Sequence, residues 1–419
     1  MGRERFEHYL KAFEDEPPVS IRLNPRVSSQ FTVQSSQFRV HSSQFIVHSS
    51  QQVPWCEYGY YLDHRPNFTF DPLLHAGCYY VQEAASMFIH HIVKTLFGAV
   101  SPSIALDACA APGGKSTLLR AVLPADCVLC SNEPVRNRAS ILLENVQKWG
   151  MGLELPSPSG MNRGWGLNHI VTCNYPRDYR KAGLVFDLIL CDVPCSGEGM
   201  FRHDAATIGE WSRQNVERCS RLQREIVADL WPCLQPGGIL IYSTCTFNTK
   251  ENEENIRWMQ DELQAEAVPV ATLPEWHITG SLLQGFDAPV YRFIPGITRS
   301  EGLFVCVLRK GSDGRGVTIT PKHFSKALQQ LNVLAPLEPR ASQPSPPSVD
   351  LPYSTAIAYL RREAIILPPD TPRGLVSVTF QGHHLGYVKN IGSRANNLYP
   401  KEWAIKSTHI PNEYVPPTR

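Results

Sequence analysis

The chain has 419 residues, 42% of them hydrophobic, which is enough for two or three domains with substantial cores. Its 40 Lys and Arg nearly cancel 39 Asp and Glu, leaving a net charge of +1, so no strong polyanion partner shows in the total. Twelve cysteines in a chain of this length do not read as the disulfide framework of a small secreted domain.

The N-terminal stretch "MGRERFEHYLKAFEDE" is charged and has no apolar signal core. No segment approaches the roughly 20 apolar residues of a membrane helix. A soluble, reduced, cytoplasmic protein is expected, outside any membrane. From Ser28 to Gln51 the sequence repeats as "SSQFTVQ", "SSQFRVH", "SSQFIVH" and "SSQ". This period suits a coiled coil, but Ser-Ser-Gln brings poor helix formers and no paired charges. The alternating "QFIVHS" patches admit a strand or hairpin. The favoured reading is a low-complexity insertion between "VSIRLNPR" and "VPWCEYGYY" with no function of its own.

From Ser103 strands and helices alternate. "SIALDAC", "CVLCSNE", "HIVTCN", "FDLILCDVP" and "ILIYSTC" read as buried strands, and "GLFVCVLR" as a late one. Helices are expected at "KSTLLRAVL", "VRNRASILLENVQKWG", Ser212 to Leu234 and "KENEENIRWMQDELQAE". This alternation means an α/β fold: a parallel sheet with helices on both faces, whose ligands sit beyond the carboxyl ends of the strands. Asp107, Glu133, Asn174, Asp192 and Cys245 all fall at such ends. After Lys310 the pattern breaks. "EPRASQPSPPSVD" reads as a proline-stiffened linker. The tail from Leu351 to Arg419 is expected to be a separate compact unit. Between Gly374 and Pro411 it carries Lys389, Arg394, Lys401 and Lys406 against Glu402 alone, a local basic surface.

The loop "DACAAPGGKS" nearly matches a P-loop. The first P-loop glycine is replaced by Cys109, and Pro112 removes a backbone N–H from the phosphate cradle. "FDLILCD" can imitate a Walker B strand, so an ATP-binding protein stays open as an alternative. Glu133 at the tip of the second strand suits the ribose hydroxyls of a nucleoside cofactor. A glycine turn without the phosphate-binding glycine, joined to a ribose acid, suits S-adenosyl-L-methionine. The bland alternative is that Gly113 and Gly114 only make a tight strand-to-helix turn.

Cys195 in "CDVPCSGEGMFR" and Cys245 in "IYSTCTFN" sit at strand-end turns facing the expected cleft, where a thiolate can act as a nucleophile. Cys127, Cys130, Cys173, Cys191 and Cys306 lie within apolar strands, and Cys219 and Cys233 on the long helix; all read as packing residues. No metal site is expected, because Cys127 and Cys130 lack a second pair and the histidines show no ligand spacing. In the tail, Arg394, Asn396, Asn397, Tyr399 and Trp403 mix donors with aromatic faces, useful against phosphate and unstacked bases, or else they form a solvated loop over core aromatics.

Taken together, "DACAAPGGKS", "SNEP", "CDVPCSGEGMFR" and "YSTCTFNTKENEENI" resemble the motifs of RNA cytosine-C5 methyltransferases, and most nearly the bacterial RsmF-type 16S ribosomal RNA methyltransferases. "SIRLNP" and "YYVQEAASM" are similar to their N-terminal lobe, and "LGYVKNIGSRANNLYPKEW" to their PUA-like RNA-binding unit. The resemblance implies a Rossmann-like methyltransferase sheet with an N-terminal RNA-binding lobe. It divides the chain into that lobe (1–98), a catalytic domain (99–310), a connector (311–350) and a PUA-like domain (351–419). It implies that Cys109, Ala110, Ala111, Pro112, Gly113, Gly114 and Lys115 form the cofactor loop, and that Glu133 holds the ribose. Asp192 would lie between cofactor and base, Cys245 would be the nucleophile, and Cys195 would help to release the product. One position departs: where the family places an acid near the adenine, this chain has Asn174, with Asp178 close enough to take its place.

Such an enzyme would methylate carbon 5 of a cytosine in RNA, expected to be ribosomal RNA or a ribosomal subunit, through a covalent cysteine–cytosine intermediate, and as a monomer. Adding a thiolate at carbon 6 makes carbon 5 nucleophilic enough to attack a sulfonium methyl. Asp192 would stabilise the activated base through its ring nitrogen, and Lys115 would steady Asp192 or the base. A catalytically inactive RNA-binding or ribosome-assembly factor is the rival on the same fold, and intact Cys195, Cys245, Lys115 and Asp192 argue against it.

Overall fold

The computed structural model describes residues 2–28, 32–34, 39–41, 51–98, 101–150, 169–204, 206–312, 321–336, 346–407, 409–411 and 413–414. Its centre is a nine-stranded sheet. Across the sheet the strands run Ala265–Ala267, Leu303–Lys310, Leu234–Thr244, Phe186–Asp192, Ile104–Asp107, Val128–Asn132, His169–Thr172 and Val333–Pro336, with Tyr291–Phe293 beside Leu303–Lys310. The five central strands are parallel, as the alternation predicts. Both flanks depart from that expectation. Leu303–Lys310 runs antiparallel against Leu234–Thr244, and Val333–Pro336 antiparallel against His169–Thr172.

The central strands are apolar on both faces because both are covered. Leu106, Cys130, Ile189 and Leu240 enter one core; Ala105, Leu129, Leu190 and Ile241 enter the other. The helices Pro176–Ala182, Arg213–Leu230 and Glu253–Leu263 cover the first face, and Phe88–Leu96 and Gly114–Val122 the second. Ser212 ends the loop before the long helix by accepting the Asn215 N–H at 3.1 Å, an N-cap that starts the helix where its apolar stripe begins. Cys127, Cys130, Cys191, Cys219, Cys233 and Cys306 are buried, in keeping with packing roles, while Cys173 is half-buried with its thiol near the Pro134 carbonyl.

The N-terminal lobe has a three-stranded antiparallel sheet in the order Gly59–Leu62, Val19–Leu23, Tyr79–Val81. Within the heptad repeat, Thr32–Gln34 pairs antiparallel with Arg39–His41, the hairpin alternative; most of the remaining repeat lies outside the described residues, as does the proline linker over 337–345. The tail is a four-stranded sheet, Ser348–Asp350, Gly374–Phe380, His383–Asn390 and Ala395–Asn397, with the helix Tyr353–Leu360.

The tail is not the separate unit its linker suggests. Ile21, Leu23, Phe70, Leu73 and Tyr79 of the lobe form one continuous buried core with Leu360, Val376, Val388 and Tyr399 of the tail. Tyr353 donates to the Phe70 carbonyl at 3.1 Å, and Tyr414 to Asp71 at 3.2 Å, across the same seam. A proline-rich stretch reports local backbone stiffness only; whether its ends meet is decided by apolar faces far away in sequence. The tail's expected RNA-facing set divides accordingly. Arg394 and Asn396 are exposed, but Tyr399 is buried against Tyr359, Trp403 is half-buried against Tyr399, and the Asn397 amide donates to the Tyr359 and Glu363 carbonyls. No helix among the described residues is long and apolar enough to cross a membrane.

Candidate active site

Four strand tips and the glycine loop meet at the carboxyl edge of the sheet. The strand Phe186–Asp192 ends in the turn carrying Cys195, and Leu234–Thr244 ends at Cys245. The two tips are neighbours because these strands pair in parallel, Ser243 opposite Asp192. That register brings the Cys195 and Cys245 sulfurs to 3.1 Å, across 50 residues of sequence. Gly199 allows the approach. Its N–H donates to the Cys245 carbonyl at 2.7 Å, and a Cβ there would lie 2.6 Å from that oxygen.

Lys115, on the first turn of the Gly114–Val122 helix, reaches across to Asp192, Nζ to Oδ2 at 2.8 Å. Ser243 donates to the other carboxylate oxygen at 2.7 Å, so Asp192 is held from both sides. Burial opposes the Lys115 charge, but the Asp192 carboxylate outweighs it and raises the lysine pKa. The cysteines are pushed apart. Cys245 is lowered below the usual thiol value by its hydrogen bond with Cys195 and by the Lys115 field, against its burial and the Asp192 charge. Cys195 is raised by the same hydrogen bond, by burial and by the Cys245 and Glu251 charges. Either sulfur can donate in this hydrogen bond; the opposed shifts make Cys245 the more readily ionised thiol and Cys195 the one that better keeps its proton.

A largely buried polar scaffold fixes both cysteine loops; Glu198, Asn248, Glu251 and Asn252 lie within the quoted motifs but are given no role by them. Glu251 accepts from the Ser196 N–H at 3.0 Å, Gln223 at 2.7 Å and Asn248 at 2.8 Å. Gln223 also donates to the Pro194 carbonyl at 2.9 Å. Glu198 accepts the Phe247 and Asn248 N–H groups at 2.7 and 2.9 Å, which ties the first loop to the second. Asn252 bridges Thr244 and the Thr246 carbonyl. The available signal is the density of amides and acids in "NTKENEEN" directly after a buried strand.

The other half of the cleft lies around the glycine loop. Ala110 donates to Asn132 at 2.8 Å, Asn145 holds the Pro112 carbonyl at 2.8 Å, and Gly113 turns the chain with φ 118°, a left-handed conformation that side chains rarely adopt. Cys109 and Ala111 pack against neighbouring cores from within this loop. Glu133 is buried. Its Oε1 accepts the Val135 N–H at 3.0 Å; its Oε2 has no hydrogen bond and lies 3.4 Å from the Arg138 guanidinium. Asp107 accepts from Ser116 at 2.6 Å through Oδ2, while Oδ1 is buried and unpartnered. Burial pushes the Asp107 pKa up to about 7. Two unsatisfied acceptors beside a glycine turn fit a ligand that brings hydroxyl or ammonium donors, as a nucleoside cofactor does.

Asn174 is placed differently from expectation. Its Oδ1 accepts the Asn332 N–H at 3.0 Å and its Nδ2 donates to the Asn332 carbonyl at 3.3 Å, so the whole amide anchors a chain segment 158 residues away. Asp178 does not take its place: its carboxylate accepts the Tyr175 N–H at 3.1 Å and lies 3.4 Å from Lys181, capping its own helix. The P-loop alternative also loses ground, since the lysine that would serve a phosphate is bound to Asp192. No cluster of metal-ligating side chains occurs among the described residues.

A parallel sheet with a glycine turn after its first strand, an acid at its second tip and apposed cysteines beyond its fourth and fifth defines a Rossmann-like methyltransferase. Comparison with known proteins narrows the class. Residues 98–309 match the family model described as 16S rRNA methyltransferase RsmB/F, residues 1–84 the N-terminal domain of 16S rRNA methyltransferase RsmF, and residues 346–405 the methyltransferase RsmF PUA domain. The chain belongs to the RsmB/F family of 16S rRNA methyltransferases. It is 31% identical over 273 residues to ribosomal RNA small subunit methyltransferase F of Pectobacterium atrosepticum, covering 62% of this chain and 50% of the relative. To the protein of the same name from Escherichia coli O9:H4 it is 32% identical over 268 residues, covering 62% and 51%. The matches thus span about half the length of these relatives. Among solved structures, a methyltransferase homolog protein from Pyrococcus horikoshii superposes with TM-score 0.54 at 25% identity, over 73% of this chain and 91% of that one. NSun6 from the same organism, solved with SFG, shares the fold at TM-score 0.53 and 18% identity, over 75% and 96%.

Proposed function

We propose that this chain transfers the methyl group of S-adenosyl-L-methionine to carbon 5 of a cytosine in small-subunit ribosomal RNA, with Cys245 as the nucleophile. The observation that carries the reading is the 3.1 Å cysteine pair beside the Lys115–Asp192 pair. A P-loop nucleotidase has no use for two apposed thiols, and a purely RNA-binding relic has no reason to make one of them easier to ionise than the other.

The Cys109–Lys115 loop, Glu133 and Asp192 would hold the cofactor, which when bound supplies an electrophilic methyl group. Asn174 is left out of that set because its amide is committed to Asn332. The Cys245 thiolate adds to carbon 6, and the displaced electron pair moves toward the ring nitrogen, which takes up a proton from solvent by way of Asp192, itself steadied by Lys115 and Ser243. Carbon 5 then takes the methyl group. The remaining step removes the carbon 5 proton and expels the Cys245 thiolate, which restores the ring double bond. Cys195 suits the first task. Two causes of its raised pKa come from Cys245, through the hydrogen bond and the charge. Both fall away once that sulfur is bonded to carbon, which makes it easier, against the remaining burial and Glu251 charge, for Cys195 to lose its proton to solvent and then accept the one from carbon 5.

The same reading takes RNA, as naked transcript or assembled subunit, as the partner and a cytoplasmic monomer as the working form. It also takes the division at residues 98, 310 and 350, with lobe and tail joined as one RNA-facing unit by their common core.

The test is a denaturing gel with radiolabelled RNA and cofactor. Cys245→Ala should yield neither methylated RNA nor a protein–RNA adduct. Cys195→Ala should accumulate an adduct that survives denaturation. An adduct with Cys245→Ala and none with Cys195→Ala would overturn the assignment.

A further inference from the structure

A cavity of about 460 Å³ lies between the N-terminal helix, the Leu62–Arg65 turn of the lobe and the catalytic segment Gly296–Ser300, with Arg202 lining it as well. Its volume suits one nucleotide-sized ligand. It adjoins the cysteine loops through two short connections. Arg202 ends the same turn that carries Cys195 and Gly199. Ser300 precedes Glu301, whose carbonyl would lie 3.4 Å from a Cβ on Gly199, and Gly199 itself bonds Cys245.

The lining has the chemistry of a ligand site. Arg65 and Arg299 are exposed there and form no ion pair with a described carboxylate: Arg299 lies 4.1 Å over the Tyr61 ring and donates to the Gln51 amide, and Arg65 lies 5.7 Å over Phe68. Arg202 is buried, its side chain 7% exposed, and paired with Glu301 at 2.6 Å, yet its Nε has no hydrogen-bond partner. Asp15, Glu16 and Asp63 line the same cavity. Three acids would repel a bare phosphate, and an apolar ligand would leave Arg65 and Arg299 without a counter-charge. A nucleotide meets both signs, with its phosphate on the arginines and its ribose hydroxyl or base amino groups on the acids.

We propose that this cavity holds a nucleotide of the RNA chain that flanks the target cytosine, with Arg65 and Arg299 on its phosphates. The inference rests on the RNA methyltransferase reading above. A cytosine drawn out of its stack into the cysteine cleft leaves its neighbours unstacked, and a second grip on the strand keeps the target in place.

The probe is small-subunit ribosomal RNA from cells lacking this gene, methylated by the full chain with radiolabelled S-adenosyl-L-methionine. Arg65→Ala combined with Arg299→Ala should raise KM for RNA roughly tenfold, as expected when one or two charge-assisted hydrogen bonds are removed, with kcat little changed. The slope of log affinity against log salt should flatten by about 1.4, because two phosphates of a single strand are no longer neutralised. Cofactor affinity and melting temperature should stay at wild-type values. A double variant with wild-type KM and salt slope overturns the inference, and so does an equal fall in cofactor affinity. A wild-type chain that binds cofactor and methylates no RNA instead overturns the function on which the inference rests.

Discussion

The two halves of the cleft are built by opposite rules. Around the cysteines, Glu251, Asn248, Asn252 and Gln223 are buried or half-buried and hydrogen-bonded to the turns they support. Around the glycine loop, Glu133 and Asp107 each keep a buried oxygen with no hydrogen bond. A satisfied network fixes geometry at little cost, whereas an unsatisfied acceptor destabilises the free protein until a donor arrives. The cysteine half must therefore be rigid before anything binds. In the proposed mechanism, covalent attack tolerates little misplacement of the sulfur, while the cofactor can complete its own site.

Removing the scaffold should therefore cost most. Glu251→Ala removes the acceptor of the Ser196 N–H and one acceptor each of Gln223 and Asn248, which keep the Pro194 carbonyl and Glu198. Stability should fall by about 1–3 kcal/mol, the cost of one orphaned donor, here the Ser196 N–H. At temperatures where the variant is folded, kcat should drop by about 100-fold, because the two sulfurs lose their fixed separation. Calorimetry and single-turnover methyl transfer give the two numbers. Wild-type turnover in a destabilised variant would show that the network supports the fold alone.

The cofactor half should respond the other way round. Glu133→Gln keeps the Oε1 acceptor for Val135 but replaces the unpartnered oxygen with a donor that cannot receive a ribose hydroxyl. S-adenosyl-L-methionine affinity should fall by about 10- to 100-fold, the range for hydrogen bonds to a charged group. The melting temperature of the free chain should hold, because the variant gives up only a 3.4 Å ion pair with the exposed Arg138. Isothermal titration and thermal melts report on the two separately. A variant that melts earlier and binds the cofactor normally would make Glu133 a structural acid and erase the contrast.

The same contrast separates what is legible in the sequence from what is not. Asp107, Glu133, Asp192 and Cys245 can be placed at one edge because strand alternation fixes which end of each strand faces the ligand. The partners of those residues cannot. Asn174 meets Asn332 across 158 residues, and Glu251 reaches back to Ser196 across 55, distances at which local pattern carries no information. The lobe and tail share a core because Ile21 and Tyr79 on one side face Val376 and Val388 on the other. Each strand alone reads only as having an apolar face in need of cover. The antiparallel flanks escape for a similar reason: "GLFVCVLR" announces a buried strand, and its direction is set by where the preceding segment leaves it.

The remaining effect is on pH dependence, and it isolates Asp107 from its neighbours. Burial raises its pKa from 3.8 to about 7; the Asp192 and Glu133 charges push the same way, and the Ser116 hydrogen bond and Lys115 oppose them. An acid with a raised folded-state pKa binds protons more tightly folded than unfolded. Its contribution is thus fully present below pH 3.8 and is lost as the pH climbs through about 7. Asp107→Asn removes the titration and keeps the shape. Without cofactor, the wild-type melting temperature should fall relative to the variant between about pH 4 and pH 7, and the two curves should run parallel above that window. Parallel curves across the whole range would mean that Asp107 titrates normally despite its burial. The unsatisfied half of the cleft would then reduce to Glu133 alone.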